Sequence, residues 1–118
     1  MSEERVRRVG VNEALYRQVN ERIEDVNDAF GVVTGDLAVF CECGDLECTD
    51  QIVLDRAAYE RVRSSPVHFV VRPGHDDPEA EHPVERYEAY WVIEKDAGTP
   101  ADVAREANEQ LEGREDAE

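Results

Sequence analysis

The densest chemistry in the chain lies in one stretch of eight residues, which holds all three cysteines: Cys41, Cys43 and Cys48. An odd number of cysteines cannot pair fully within one chain. In a reducing compartment a C-x-C-x4-C cluster points instead to a thiolate metal site. Tetrahedral zinc needs a fourth ligand, and the chain offers His68, His75 and His82. His75 is the first choice, because it follows Pro73-Gly74 and so sits on a turn that can aim its ring inward. His82, beside Pro83 in the same loop, comes second. His68 alternates with Val70 and reads as a half-buried strand histidine. Three thiolates and one imidazole would overcompensate the zinc charge, which makes a poor Lewis acid and a closed, structural site. Such sites can hold zinc with about 10–16 kcal/mol of apparent free energy in small peptides. Other readings of the cysteines stay open. They could be small hydrophobes of a strand, or redox thiols with a strained C-x-C disulfide. An iron–sulfur cluster would be one ligand short. A catalytic zinc would need water in the fourth position.

These residues must be held by elements that the sequence pattern outlines. Residues 37–43, LAVFCEC, alternate with strand period, so Leu37, Val39, Cys41 and Cys43 share a face. Gly44-Asp45 reads as a turn, and 51–54, QIVL, as the returning strand of a hairpin. Gly44 allows the strand end to bend so that two thiolates can reach one ion. Upstream, Leu15, Val19, Ile23, Val26 and Phe30 form an apolar stripe, predicting a helix over 12–30 with that stripe inward. Asn12 is read as its N-cap and Gly31 as its stop. Asp55 is the expected N-cap of a second helix that ends before Pro66. VHFVVR over 67–72 reads as a strand and 73–83 as a loop. Residues 84–88 and 89–95 read as a hairpin or a bent strand pair. Adjacent Tyr90 and Trp91 should face opposite sides. Thr99 and Pro100 open a last helix with a weak apolar face at Ala104, Ala107 and Leu111. The order predicts an α+β fold: a small, mostly antiparallel sheet with an N-terminal helix, a middle helix and a C-terminal helix.

One domain is expected over 1–118, with 1–10 and 112–118 frayed or disordered. The chain carries 13 Lys+Arg against 29 Asp+Glu, a formal net charge of −16. Residues 1–35 hold five Arg and seven acids, a net of −2. Residues 36–75 hold four Arg and seven acids, a net of −3. Residues 76–118 hold four basic residues and fifteen acids, a net of −11. This balance argues against nucleic acid, whose binding draws on a basic face, and against an anionic membrane surface. No apolar run approaches the roughly 20 residues of a membrane span. The first ten residues lack the apolar segment of a secretory signal, so the expected location is cytoplasmic. No G-x-S-x-G, H-E-x-x-H, P-loop or G-x-G-x-x-G string occurs. Asp76 and Asp77 beside His75 read as an exposed acidic loop.

The strings NEALYRQVNERIE, FCEC with Cys48, YERVRSSPVHFVV, PGH and YWVIEK together resemble a family of short uncharacterised bacterial proteins. That family carries a C-x-C…C hairpin and a P-G-H turn, and the resemblance spans about residues 12–95. It implies that Cys41, Cys43, Cys48 and His75 belong to one module, and it implies no activity. A SWIM-type zinc finger also begins C-x-C but then needs C-x-H. Here Thr49 and Asp50 follow Cys48, so that pattern fails.

The functional expectation is a small cytoplasmic, non-enzymatic interaction or regulatory module. A structural zinc would sit at Cys41, Cys43, Cys48 and His75, and a basic protein partner would be drawn to the acidic last third. The alternatives are a zinc- or thiol-dependent enzyme, or an acidic nucleic-acid mimic that binds a basic protein.

Overall fold

Alternating burial builds the first hairpin. The computed structural model describes residues 3–29 and 35–116. In it Leu37 and Val39 point into the core from β1 (Asp36–Phe40), and Ile52 and Leu54 from β2 (Gln51–Asp55). The two strands pair antiparallel, Leu37 opposite Leu54 and Val39 opposite Ile52. Before them runs α1 (Glu3–Ala29); after them come α2 (Arg56–Arg63), β3 (His68–Val71), β4 (Glu81–Arg86), β5 (Trp91–Lys95) and α3 (Thr99–Asp116). The fold is α+β, with helices at the beginning, middle and end. Its strands divide into two small antiparallel sheets, β1–β2 and β3–β5–β4. Asp55 caps α2 by accepting from the Ala57 and Ala58 N–H groups, as its position predicts.

The two sheets share one core of Leu37, Val39, Ile52, Tyr59, Phe69, Val70 and Ile93, to which α3 adds Ala101 and Ala104. Tyr90 and Trp91 both pack against this core, half-buried. The loop expected over 73–83 is shorter, because β4 begins at Glu81 and takes His82 into the sheet.

Helix α1 corrects three expectations. It begins at Glu3, so residues 3–10 are not frayed: Val6 is buried, and a Cβ on Gly10 would lie 2.8 Å from Val103 of α3. That close approach holds the helix start in place. Asn12 is therefore interior to the helix, and its amide donates to the Gly44 carbonyl at 3.3 Å. The apolar stripe faces outward: Val11, Leu15, Val19 and Val26 are 41–52% exposed. Phe30 and the expected stop at Gly31 lie outside the described residues. The buried face is polar instead, with Glu13, Arg17, Asn20, Glu21 and Glu24.

The polar face points inward because backbone groups below it need partners. Asn20 donates to the Phe40 carbonyl and accepts from the Phe40 N–H, both at 2.9 Å, acting as a one-residue strand partner for β1. Arg17 donates to the carbonyls of Ser65 (2.7 Å) and Arg63, where α2 gives way to β3. Glu24 takes the Arg63 guanidinium at 2.6 Å. At the C-terminus α3 runs to Asp116, so residues 112–116, expected to fray, are helical, and 117–118 lie outside the described residues.

Candidate metal centre

The site forms where the open end of the first hairpin meets the end of β3. Cys41 extends β1 by one more rung, its N–H donating to the Asp50 carbonyl at 2.9 Å. The chain then crosses to the other sheet: the Glu42 N–H donates to the Val70 carbonyl at 2.8 Å. Side chains alternate through this crossing. Cys41 and Cys43 face the cluster, and Glu42 faces the interior. There the Glu42 carboxylate accepts from Asn20 (2.8 Å), the Tyr59 hydroxyl (2.8 Å) and the Val70 N–H (3.1 Å). Burial pushes its pKa up, and these three donors oppose the rise.

Two tight turns complete the site, and each depends on a glycine at positive φ. Gly44, at φ 79°, follows Cys43, and a Cβ there would come within 3.0 Å of Val9 and Glu13 on α1. The hairpin tip can therefore lie on the helix only with glycine at 44. The chain returns through Asp45, whose carbonyl accepts from the Cys48 N–H at 2.9 Å. The second turn is Arg72-Pro73-Gly74-His75, with the His75 N–H donating to the Arg72 carbonyl at 2.9 Å and Gly74 at φ 84°. Proline followed by a positive-φ glycine fits a type II turn.

These turns bring Cys41, Cys43, Cys48 and His75 together, with their ligand atoms all within 4.8 Å of one another. His75 Nδ1 lies 3.5 Å from Cys41 Sγ and 3.7 Å from Cys48 Sγ. A tetrahedral zinc, with bonds of about 2.3 Å to sulfur and 2.0 Å to nitrogen, sets its ligand atoms roughly 3.5–3.8 Å apart. The two nitrogen–sulfur distances already match this spacing, and the wider separations, up to 4.8 Å, would close by about 1 Å around a metal ion. His68 and His82 lie elsewhere. His68 Nε2 meets Glu94 at 2.9 Å on β5, and His82 Nδ1 meets Asp96 at 2.7 Å.

Backbone donors reach all three sulfurs. The Arg72 N–H donates to Cys41 Sγ at 3.3 Å. The N–H of Asp45 bonds to Cys43, and that of Asp50 to Cys48. Each sulfur thus has a backbone donor, which lowers the energy of its anion. With no cation between them the three sulfurs titrate as a group. A hydrogen bond from Cys41 leads the fall of the Cys43 pKa to about 5. Its counterpart, together with burial, drives Cys41 far up. Burial leads the rise at Cys48. One sulfur carries the charge while its neighbours keep their protons, and a divalent cation would displace those protons.

His75 turns Nε2 toward Asp50, 3.7 Å from its carboxylate. That distance is beyond a direct hydrogen bond, and it leaves Nδ1 as the ring nitrogen beside the sulfurs. Asp50 and the three backbone donors were not foreseen from the sequence. The only available signal for Asp50 was an acid two residues after Cys48, in a loop whose path no pattern fixes. Cys41 is buried, whereas Cys43 and Cys48 are half-buried. Beside Cys43 lies an open cavity of about 500 Å3, lined by Arg5, Arg8, Asn12, Asp45 and Asp77 among others. Arg5 is paired across this cavity with Asp77 at 3.1 Å.

Comparison with protein-family models, with curated proteins and with solved structures finds no match for this chain. Among the described residues, no helix is long and apolar enough to cross a membrane.

Proposed function

We propose that this chain is a small, non-enzymatic interaction or regulatory module, held together by a structural zinc at Cys41, Cys43, Cys48 and His75. The observation that carries the reading is the convergence of four donors of the right type from the hairpin and the end of β3. Four protein ligands fill a tetrahedral shell and leave no position for a reacting water. Three thiolates favour zinc over hard cations such as magnesium or calcium. The ion would tie the β1–β2 sheet to the β3–β5–β4 sheet, which otherwise meet near this point through the Glu42–Val70 bonds. The partner is a basic protein in the cytoplasm. In support, α3 exposes Asp102, Glu106 and Glu109, and the segments on either side of β4 expose Glu79 and Glu88. A cluster of this sign steers a basic surface toward itself.

The test is metal analysis of protein purified without a polyhistidine tag. The expected result is one zinc per chain, with loss of the folded signal on strong chelation and its return when zinc is added. A metal-free preparation with the same melting temperature before and after zinc addition would overturn the metal reading. For the partner, capture by a basic protein surface should weaken steeply with salt. It should also weaken when Asp102, Glu106 and Glu109 are changed to the corresponding amides.

A further inference from the structure

The outward stripe of α1 is the largest unexplained feature of the surface. Val11, Leu15, Val19 and Val26 are 49%, 48%, 41% and 52% exposed. Between and before them on the same face lie Arg22 and Arg8. The spacing of Arg8, Val11, Leu15, Val19, Arg22 and Val26 repeats every eleven positions, 8 with 19, 11 with 22 and 15 with 26, although the first two of these pairs match an arginine with a valine. An eleven-residue repeat matches about 3.67 residues per turn, so the stripe runs almost straight along the helix. From Val11 to Val26 it extends roughly 22 Å at 1.5 Å per residue. Leu46, 63% exposed, widens it on one side; the Tyr16 hydroxyl donates to the Leu46 carbonyl at 3.5 Å, which places the hairpin tip beside the stripe. An exposed apolar stripe punctuated by arginines, as here, marks a contact surface.

We propose that this stripe pairs with the same stripe of a second copy, the two α1 helices running antiparallel. The charges along the helix select both the partner and the direction. At its N-terminal end α1 exposes Arg7 and Arg8, and toward its C-terminal end it exposes Asp25. Antiparallel pairing with Leu15 opposite the second copy's Val19 brings Arg7 and Arg8 within two residues of the level of Asp25, about 3 Å along the axis. Arg7 and Asp25 occupy the same flank of the stripe, and in antiparallel pairs like flanks meet. The symmetry creates this contact twice. The same register sets Val11 against Ile23 and Arg22 against Asn12, with no like charges opposed. Parallel pairing would instead oppose Arg8 to Arg8, Arg22 to Arg22 and Asp25 to Asp25. Net charge does not forbid the pairing, because residues 1–35 carry only −2 of the total −16. The acidic last third remains available to a different partner.

Sedimentation equilibrium of the full chain from micromolar to sub-millimolar concentration tests the proposal. The expected result is a mass that rises from one chain to two. Leu15→Glu with Val19→Glu should hold the mass at one chain without changing the circular dichroism spectrum or the melting of the monomer, because both side chains are solvent-facing. Asp25→Arg should weaken the dimer roughly tenfold. Adding Arg7→Asp and Arg8→Asp to Asp25→Arg should restore it. A wild-type chain that stays monomeric throughout overturns the proposal, and so does a dimer indifferent to Leu15→Glu with Val19→Glu. A charge reversal that is not rescued overturns the antiparallel arrangement.

Discussion

Two clusters of ionisable groups, one fully buried and one at the edge of the core, differ in how their charge is balanced. One is Lys95 on β5, whose ammonium meets Glu13 of α1 at 2.7 Å and Glu81 of β4 at 2.8 Å, all three fully buried. The other is the thiol–imidazole cluster of Cys41, Cys43, Cys48 and His75. The first carries its own cation. The second gathers three thiols and one imidazole, a donor set that could take a metal ion as its cation. The contrast teaches where stability is conditional. The Lys95 cluster ties α1 to the larger sheet with side chains alone, whereas on the proposed reading a zinc would add to the Glu42–Val70 bonds that join the two sheets.

The largest effect should come from removing a ligand. Cys41→Ser takes away the most buried sulfur and, on the proposed reading, a zinc ion of the kind whose apparent binding free energy is about 10–16 kcal/mol in small structural sites. A domain of this size has a total stability of only about 5–15 kcal/mol. The expected outcome is loss of the cooperative thermal transition, followed by circular dichroism, and loss of bound zinc by elemental analysis. A Cys41→Ser protein that melts like the wild type would erase the contrast between the two clusters.

Next in size is Lys95→Met, which leaves Glu13 and Glu81 buried side by side with no cation. Removing one partner of a buried ion pair costs about 3–5 kcal/mol, a fall in melting temperature of roughly 10–20 °C for a domain of this length. The zinc content should not change. Adding Glu13→Gln should return part of the loss, since one buried charge is then removed. If Lys95→Met lowered zinc occupancy as strongly as Cys41→Ser, the clusters would be one cooperative unit rather than two independent ones.

A smaller effect separates the two carboxylates that share Lys95. Glu81 is well satisfied: its second oxygen accepts from the Asp77 N–H at 3.0 Å. The second oxygen of Glu13 is buried with no hydrogen-bond partner. Burial raises the Glu13 pKa well above the ordinary carboxylate value, the Glu81 charge adds to the rise, and Lys95 opposes it. Lys95, whose burial acts to neutralise it, is nevertheless held above its ordinary value by the two carboxylates. A raised folded-state pKa means that the folded chain binds the Glu13 proton more tightly than the unfolded chain. That contribution to stability is complete below the unfolded carboxylate pKa and is lost as pH rises through the folded one. Glu13→Gln keeps the acceptor for Lys95 and removes the titration. Denaturant melts between pH 5 and pH 8 should therefore show a flatter dependence in Glu13→Gln than in the wild type. An equal slope would mean that Glu13 is ionised in the fold throughout.

The two clusters were not equally legible in the sequence. The metal centre was, because its information is local. Cys41 and Cys43 lie two apart on a strand, Gly44 breaks it, Cys48 returns after a short loop, and Pro73-Gly74 announces the turn that aims His75. Only the match between two turns distant in sequence had to be supplied by the fold. The Lys95 cluster was not legible, since Glu13, Glu81 and Lys95 look like ordinary surface charges of a helix and two strands. The reason is visible in α1. Periodicity tells which residues share a face, and it correctly groups Leu15, Val19 and Val26. It does not tell which face turns inward. That choice was made by the Phe40, Arg63 and Ser65 backbone groups, which need Asn20 and Arg17, and by Lys95, which needs Glu13. Hydrophobicity alone points the helix the wrong way. The split of the strands into two sheets escaped the sequence for a related cause, since the Glu42–Val70 crossing is a non-local pairing.

The smallest expected effect is at the histidine that the sequence ranked second. His82 is largely solvent-facing, and its hydrogen bond to Asp96 raises its pKa above the ordinary histidine value, with the Asp96 and Glu94 charges adding to the rise. Protonated His82 thus contributes stability below pH 6.5 that fades as pH climbs through the folded value. Solvent screening keeps such an exposed pair within about 1 kcal/mol. His82→Ala should lower the melting temperature slightly at pH 6 and not at pH 9, with zinc content intact at both. His75→Ala should reverse this signature. It should lower zinc affinity at every pH, and most steeply in acid, where protons compete for the three remaining thiolates. Chelator competition on both variants reads the difference directly. If His82→Ala were the variant that lost zinc, the fourth ligand would come from β4, and the ion would join the hairpin to the outer edge of the larger sheet rather than to the end of β3.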